Sequence, residues 1–399
     1  MGSPPRIYLD CAATTPPAPG VVEAVRDALA DSWANASSAH ADGSRARRIV
    51  EESRVRVAAL IGGRPDEIVF TSGATESNNT VLKGFGKPNA QFRRPLELRP
   101  PSGGVVVSAV EHPCVAESVA WLERRGWKVS RMGVDETGLV DPGDVRKALR
   151  PKPALVSVML ANHEVGTIQP VALIAKLAKA AGALVHTDAT QAVGRIPVDV
   201  EALGVDYLSL SGHKFGGPKG VGALWVRRGA PLVPLNHGGG QEGGRRSGTY
   251  NVPGIAGLGV AAAYAAREMA AAGERVRGLR DRLDRGIRSG VQGLRVNGHP
   301  ELRLPGHLHV SFDLVEGEAL MMRLDLAGIA VSTGPACSAG AYESSPVLAA
   351  MGFGEARARG SVRITVGAHN TAAEIDRVVG VLPAIVADLR RAPPAWLRS

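Results

Sequence analysis

The stretch that reveals most about the architecture of this chain reads Asp206-Tyr-Leu-Ser-Leu-Ser-Gly-His-Lys-Phe-Gly-Gly-Pro-Lys-Gly-Val-Gly-Ala-Leu-Trp225. An apolar pattern typical of a strand runs into Ser211-Gly-His-Lys214, and a glycine-rich turn separates it from another apolar run. The chain has nine lysines against 38 arginines, so a lysine placed here is not one more solubilising cation. Lys214 is therefore a candidate functional residue.

A second strand end stands 26 residues upstream of Lys214. There the apolar run Ala183-Leu-Val-His186 continues into Thr187-Asp188-Ala-Thr-Gln191. Because the carboxyl ends of parallel strands meet at one edge of a sheet, Asp188 and Lys214 are expected to face each other across a crevice. A lysine that forms a Schiff base and an acid that pairs with a pyridinium nitrogen are what pyridoxal phosphate requires. The pair predicts a site for this cofactor.

Composition places the chain among ordinary globular proteins. Its 399 residues favour two domains, and 44% hydrophobic with 21% charged residues is usual for a soluble protein. The sequence has no apolar run of about 18 residues and does not start like a signal peptide, so a cytoplasmic protein with no membrane contact is expected. Three cysteines (Cys11, Cys114 and Cys337) predict neither a disulfide framework nor a zinc site, and no metal is expected.

The net charge of +9 comes from arginines that are spread along the chain. Basic stretches such as Arg275-Val-Arg-Gly-Leu-Arg-Asp-Arg282 contain acids at helical spacing and are interpreted as solvated helix faces. The sequence contains no nucleic-acid motif, so nucleic-acid binding is not predicted, although a basic surface fits an acidic partner.

Apolar runs alternate with helical periodicity over the first two thirds of the chain, which predicts an α/β fold with a mostly parallel, doubly wound sheet. A long helical segment at 254–290 precedes further strands and helices that form a second, smaller α/β domain. The predicted large domain spans 16–262, and the small domain takes 1–15 plus 263–399. Residues 86–103 are expected to form a surface loop and residues 390–399 a frayed tail.

Three further segments follow predicted strands and carry polar side chains. Thr71-Ser-Gly-Ala-Thr75 opens a helix, and N–H groups at a helix N-terminus suit a phosphate, although serine and threonine caps are common. The imidazole of His112, in Glu111-His112-Pro113, is placed to stack on a flat ring; the alternative is a structural histidine. Asn162-His163-Glu164 follows another strand, so all these residues are expected at one sheet edge.

The order of seven motifs resembles the class V aminotransferase-fold cysteine desulfurases, most of all the branch that supplies sulfur for iron–sulfur clusters. The similarity runs from about residue 7 to about residue 380 and implies a pyridoxal phosphate-dependent transferase of the aspartate aminotransferase-like fold. The motifs are Leu9-Asp-Cys-Ala-Ala-Thr-Thr15, Thr71-Ser-Gly-Ala-Thr-Glu-Ser-Asn78, Glu111-His112-Pro113, His186-Thr-Asp-Ala-Thr-Gln191, Ser211-Gly-His-Lys214, Arg245-Arg-Ser-Gly-Thr249 and Ser332-Thr-Gly-Pro-Ala-Cys337.

The resemblance assigns a role in cofactor binding to ten residues. Lys214 would form the Schiff base, Asp188 would pair with the pyridinium nitrogen and His112 would stack on the ring. Gln191 and His163 would bind the ring oxygen. The phosphate would be held by Ala74, Thr75, Ser211 and His213, and Thr249 would contact the phosphate in the other subunit's site. The last assignment implies a homodimer with shared active sites.

The resemblance also implies the reaction. Catalysis would use Cys337, Lys214 and His112 to convert L-cysteine to L-alanine and a persulfide on Cys337, which passes its sulfur to an acceptor protein. The acceptor would be an iron–sulfur scaffold or a relay for tRNA or DNA thiolation. Arg363 would bind the substrate carboxylate, and Asn35 is also assigned to substrate binding.

Cys337 on its own would be interpreted as a small buried hydrophobe. It lies, however, in a segment of about 332–346 that is rich in Gly, Ser, Ala and Pro and poor in core-forming residues. The segment predicts an exposed loop in the small domain, where a reactive thiol can travel.

Two positions depart from the family pattern. His163 stands where the family usually has asparagine, and we expect it still to contact the cofactor and to shift the pKa of the Schiff base. Pro335 stands where serine is common and is expected to stiffen the loop.

Three other functions remain open at this stage. A selenocysteine lyase would use nearly the same chemistry, and an ordinary aminotransferase or lyase would not need the thiol of Cys337. A non-catalytic scaffold is disfavoured because Lys214, Asp188 and Cys337 are all present.

Overall fold

The computed structural model describes residues 5–85, 103–150, 152–334 and 345–391. Cys337 and nearly all of the loop expected at 86–103 lie outside the described residues, as does the tail from 392 onward.

The described chain forms short strands joined mostly by helices. The strands are β1 Ile7–Tyr8, β2 Ile68–Thr71, β3 Val105–Ser108, β4 Val129–Met132, β5 Leu155–Ser157, β6 Leu184–Asp188, β7 Tyr207–Ser211, β8 Gly222–Val226, β9 Leu294–Asn297, β10 His307–Phe312, β11 Ile329–Ala330 and β12 Ser361–Thr365. The helices are α1 Val21–Asp31, α2 Ala41–Leu60, α3 Ala74–Gly84, α4 Pro113–Glu123, α5 Pro142–Ala148, α6 Val171–Ala180, α7 Val200–Leu203, α8 Val252–Gly290, α9 Gly317–Leu326, α10 Pro346–Ala350, α11 Glu355–Arg359 and α12 Ala372–Arg391.

The large sheet has seven strands in the order β2-β8-β7-β6-β5-β3-β4. All neighbours pair in parallel except β8, which is antiparallel to both β2 and β7. Strands β2, β3, β5, β7 and β8 are buried at every position, as expected for a sheet covered on both faces. The predicted α/β fold with a mostly parallel sheet is confirmed.

The second sheet is antiparallel, in the order β12-β10-β9. Its core is separate from that of the large sheet and draws on residues near both ends of the chain, such as Leu9, Leu283, Val310 and Leu382. Strand β1 brings the start of the chain here by pairing in parallel with β11. The boundaries at residues 15 and 262 stay predictions.

Helix α8 is 39 residues long and contributes to both cores, through Leu258 near its start and Leu283 near its end. It packs closely on α2. A Cβ atom at Gly259 would lie 2.5 Å from Ser53 Oγ and 2.8 Å from Ser53 Cα, so only glycine allows this approach.

The expectation of a frayed tail from residue 390 is wrong for its first two residues, because α12 continues to Arg391. Arg390 donates hydrogen bonds to the carbonyls of Asp313 and Gly293, which fixes the helix end on the small sheet. Across the described ranges we find no helix with the length and apolarity that a membrane span requires.

We expect Gly259→Ala to destabilise the fold, because its methyl group would push α8 away from the α2 backbone; overpacking of this kind costs about 1–3 kcal/mol. Gly278→Ala, in the same helix but with open space around it, is the matched control and should be neutral or stabilising by about 0.5–1 kcal/mol. Urea unfolding followed by circular dichroism measures both. Equal midpoints for the two variants would contradict the close α2–α8 contact.

Candidate active site

Four polar segments meet at the carboxyl edge of the large sheet. Asp188 is the last residue of β6, and Lys214 lies in a 3-10 turn directly after β7. His112 follows β3 and precedes α4, while His163 follows β5. These four strands are parallel, so the topology brings their carboxyl ends together, as the sequence predicts.

The Lys214 side chain is directed at the backbone of the N-terminal segment. Its Nζ donates to the carbonyl oxygens of Ala12 at 2.7 Å and Ala13 at 2.9 Å. Burial, with the positive charges of Arg195 and Arg363, lowers the pKa of this amine to about 8, although Asp188 and Asp10 act to raise it. Roughly a tenth of the amine is therefore uncharged at pH 7, far more than for an ordinary lysine, and the uncharged form is the one that a nucleophile and base requires.

Asp188 is buried and held by two donors. Its Oδ2 accepts a hydrogen bond from Asn78 Nδ2 at 2.6 Å, and its Oδ1 accepts from the backbone N–H of Thr190 at 2.9 Å. Asn78 also donates to the Sγ of Cys114 at 3.0 Å. Asn78 lies within a quoted motif, yet the sequence analysis gave it no role.

The rings of His112 and His163 meet edge to face, with centroids 5.0 Å apart and planes at 69°. Burial lowers the pKa of His112, and burial together with the neighbouring His112 lowers that of His163 well below its ordinary value. Both rings are therefore neutral at pH 7. His112 Nδ1 caps α4 by accepting from the backbone N–H of Cys114 at 3.2 Å.

Cys114 and Cys11 are poor nucleophiles in this structure. Cys114 Sγ lies 3.0 Å from His112 Nδ1, close to the sheet edge, whereas Cys11 is buried in the N-terminal segment. Burial raises the pKa of both thiols to about 12. Neither supplies a thiolate at neutral pH.

Helix α3 presents its N-terminus at the same edge. Its first two residues are Ala74 and Thr75, and the preceding Gly73 brings the backbone close to Ser211, whose Oγ would lie 3.4 Å from a Cβ at Gly73. His213 is held differently, with its Nδ1 3.2 Å from Thr14 Oγ1, and burial lowers its pKa to about 4. The N-terminus of α3 and the Ser211 hydroxyl thus lie close together, an arrangement that suits an anion.

Arg363 comes from the small sheet, on β12, and reaches across to the large one. Its Nη2 pairs with Asp10 Oδ1 at 2.9 Å, and its Nη1 donates to the carbonyl of His163 at 3.1 Å. Its buried Nε has no partner among the described residues. The guanidinium group of Arg363 is therefore fixed beside His163, and its Nε–H has no acceptor among the described residues.

Gln191 and Arg195 complete the site from the turn after β6. Gln191 Nε2 donates to the carbonyl of Ala12 at 3.0 Å, and its Oε1 accepts from Arg195 Nη1 at 2.6 Å. Arg195 was missed by the sequence analysis because one arginine among 38 carries no signal. Asp10 was missed although it stands in the first quoted motif.

Two predicted residues are not brought to this edge within the single chain. Asn35 is exposed and its Oδ1 accepts from the backbone N–H of Ser37 at 2.9 Å. Thr249 is exposed between the 3-10 turn at Gln241–Gly244 and α8. Their assigned roles stay predictions, as does that of Cys337, which lies outside the described residues.

Comparison with known proteins places this architecture in a family. The model of the Aminotransferase class-V family matches residues 7–378. The chain is 46% identical to a "Cysteine desulfurase" of Gluconacetobacter diazotrophicus over 392 residues, 98% of this chain and 96% of that protein. It is 44% identical to a "Cysteine desulfurase IscS" of Dictyoglomus turgidum, covering 97% of this chain and 96% of that protein. A solved "NifS-like protein" superposes with a TM-score of 0.87 at 38% identity, covering 96% of this chain and 100% of that one. The chain therefore belongs to the class-V aminotransferase family, among its cysteine desulfurases.

Proposed function

We propose that this enzyme uses pyridoxal phosphate to remove sulfur from L-cysteine, giving L-alanine and a persulfide on Cys337. One observation carries the proposal. A largely buried lysine amine with a pKa of about 8 is held at the sheet edge where the buried carboxylate of Asp188 ends the neighbouring strand. The family membership reported above supports the same reaction.

The side chains present fit the cofactor. His163 Nδ1 and Asn78 Oδ1 are buried without a partner among the described residues, so the edge offers unused polar atoms where a ring would be held. Lys214 would bind covalently, Asp188 would pair with the ring nitrogen, His112 would stack and Gln191 with His163 would meet the ring oxygen. The α3 N-terminus (Ala74 and Thr75) with Ser211 and His213 would hold the phosphate.

When bound, pyridoxal phosphate supplies an aldehyde for condensation with an amine and a ring that stabilises negative charge on the substrate α-carbon. Lys214 Nζ would take the α-proton, since its lowered pKa lies closer to neutral pH than that of an ordinary lysine, as an efficient base requires. Asp188 would offer its carboxylate to the ring nitrogen, and the hydrogen bonds from Asn78 and the Thr190 N–H hold that carboxylate in place. The neutral rings of His112 and His163 exclude water from one face.

Arg363 would orient the substrate. Its planar fork matches a carboxylate, and its unused Nε adds a donor to those already engaged by Asp10 and His163. Binding the carboxylate here would direct the rest of L-cysteine towards Lys214.

Sulfur transfer is assigned to Cys337. Its thiolate attacks the substrate sulfur, a sulfur–sulfur bond forms, and the carbon–sulfur bond breaks with its electron pair going to carbon. That carbon is protonated, Lys214 would return a proton to the α-carbon, and the fragment leaves as L-alanine, so the step needs no external oxidant or reductant. The persulfide sulfur then passes by thiol exchange to an acceptor protein, an iron–sulfur scaffold or a relay for tRNA or DNA thiolation.

A homodimer is part of the proposal. Thr249, to which the family resemblance assigns a phosphate contact in the other subunit's site, is exposed in the single chain, as such a donor must be. We place the reaction in the cytoplasm.

Cys337→Ala tests the proposed reaction. Wild-type protein should produce alanine and sulfide in equal amounts from L-cysteine with a reductant, and the variant should produce neither, because the attacking thiol is gone. The variant must retain the wild-type cofactor absorbance, which shows an intact lysine site. Equal turnover by the two proteins would refute the persulfide mechanism and favour selenocysteine or simple lyase chemistry.

Arg363→Lys tests substrate orientation. A lysine keeps the charge but loses the fork, so we expect KM for L-cysteine to rise by about 10-fold or more with a smaller fall in kcat. Arg357→Lys is the matched control, since Arg357 is partly buried in the same domain but bonds Asn297 instead. An unchanged KM in Arg363→Lys would remove Arg363 from substrate binding.

His163→Asn tests the residue that departs from the family pattern. Asparagine leaves more room for water, which favours the protonated Schiff base, so the midpoint of the pH-dependent cofactor absorbance should rise by about half a unit or more. His299→Asn serves as the control, because His299 only caps a local turn. A titration curve of His163→Asn that overlays wild type would contradict the proposed cofactor contact.

A further inference from the structure

Arg195 occupies a position that the proposed reaction does not use. Its Nη1 donates to Gln191 Oε1 at 2.6 Å, and its Nη2 donates to the carbonyls of Cys11 at 2.5 Å and Lys214 at 3.2 Å. One guanidinium therefore joins three separate segments of the site.

The same three segments hold the Lys214 amine. Nζ donates to the carbonyls of Ala12 and Ala13, directly after Cys11, and Gln191 Nε2 shares the Ala12 carbonyl. Arg195 thus fixes both ends of the lysine: the backbone from which its side chain leaves and the segment on which its amine rests.

The two arginines near Lys214 differ in whether a carboxylate offsets their positive charge. Arg363 pairs with Asp10, so its charge is partly offset. The partners found for Arg195 in the described ranges are a side-chain amide and two carbonyls, which are neutral. Of the four charged groups that act on the Lys214 amine, Arg195 lowers its pKa most, ahead of Arg363, while Asp188 and Asp10 raise it.

We propose that Arg195 is the positioning residue of the lysine site, which orients Lys214 through its guanidinium fork and disfavours the protonated amine through its unpaired positive charge. The inference rests on the proposed function for its catalytic consequence, because the amine that Arg195 tunes is the one that takes the substrate proton. It concerns Lys214 itself, however, and can be measured without the cofactor.

The apoprotein gives the first test. Acetylation of Lys214 by limiting acetic anhydride, measured by mass spectrometry against pH, should give a midpoint of about 8 in wild type. Arg195→Gln, which removes the charge, should raise the midpoint by about one unit. Arg195→Lys, which keeps the charge without the fork, should stay near wild type.

The holoenzyme gives the second test. Arg195→Lys should lower kcat for L-cysteine by about 10-fold, because the guanidinium fork no longer fixes the orientation of Lys214, while KM changes little. Arg303→Gln is the matched control, since burial also lowers the pKa of Arg303 to about 10 but it does not act on Lys214. In the acetylation experiment on the apoprotein, Arg303→Gln should leave the midpoint of Lys214 at the wild-type value.

Rescue separates charge from structure. Arg195 and Lys214 both line a cavity of about 410 Å³, so a small cation can reach the space that Arg195→Ala would leave. Guanidinium chloride at tens of millimolar should return the labelling midpoint of that variant towards wild type, and tetramethylammonium chloride, which cannot donate hydrogen bonds, should not.

The outcomes separate the two claims. A wild-type midpoint in Arg195→Gln, or an equal rise in Arg303→Gln, would overturn the role of Arg195 whatever the enzyme's reaction. A shifted midpoint in a protein that makes no alanine from L-cysteine would uphold Arg195 and refute the proposed function instead.

Discussion

The two hydrogen bonds from Lys214 to the carbonyls of Ala12 and Ala13 join the large sheet to the N-terminal segment of the chain. The residues that accept them belong to a segment that starts in β1, which pairs with β11 and shares the core of the small sheet, and that crosses to the large sheet. The segment is tied to the small sheet by the Ala12 N–H, which donates to Thr365 Oγ1, and to the large sheet by Thr15, which bonds the carbonyl of His213. The geometry at the lysine therefore depends on both sheets, although the lysine itself belongs to one.

Electrostatics at the sheet edge follow from the same arrangement. Two arginines come close to a lysine that is largely buried, and only one of them has a carboxylate partner among the described residues. Placing unpaired positive charge next to an amine costs free energy, because each desolvated cation disfavours its neighbour. Burial of the amine is the larger cause of the lowered pKa of Lys214, and this cost adds to it, so part of the folding free energy is used to prepare the site.

Much of the fold and of the strand-end chemistry could be predicted from the sequence. The strands of the large sheet have continuous apolar runs, and parallel pairing dictates that Asp188 and Lys214 share an edge. The edge strand β4 was not predicted, because two of its four residues are exposed and it has no apolar run. The roles of Asp10, Asn78 and Arg195 could not be predicted either, since each depends on a contact between segments distant in sequence.

The ion pair between Arg363 and Asp10 has a consequence for selectivity if Arg363 binds the substrate carboxylate as proposed. A substrate carboxylate that binds Arg363 must share the guanidinium with Asp10, which lies at 2.9 Å, so two carboxylates would compete for one cation. A ligand with only a carboxylate gains little from this exchange, because like charges repel and Asp10 already satisfies Nη2. A ligand that also carries an amine for the lysine site and a side chain of the right size recovers that cost through further contacts. Under the proposed function, pairing the arginine in advance would make binding depend on the whole amino acid rather than on its carboxylate alone.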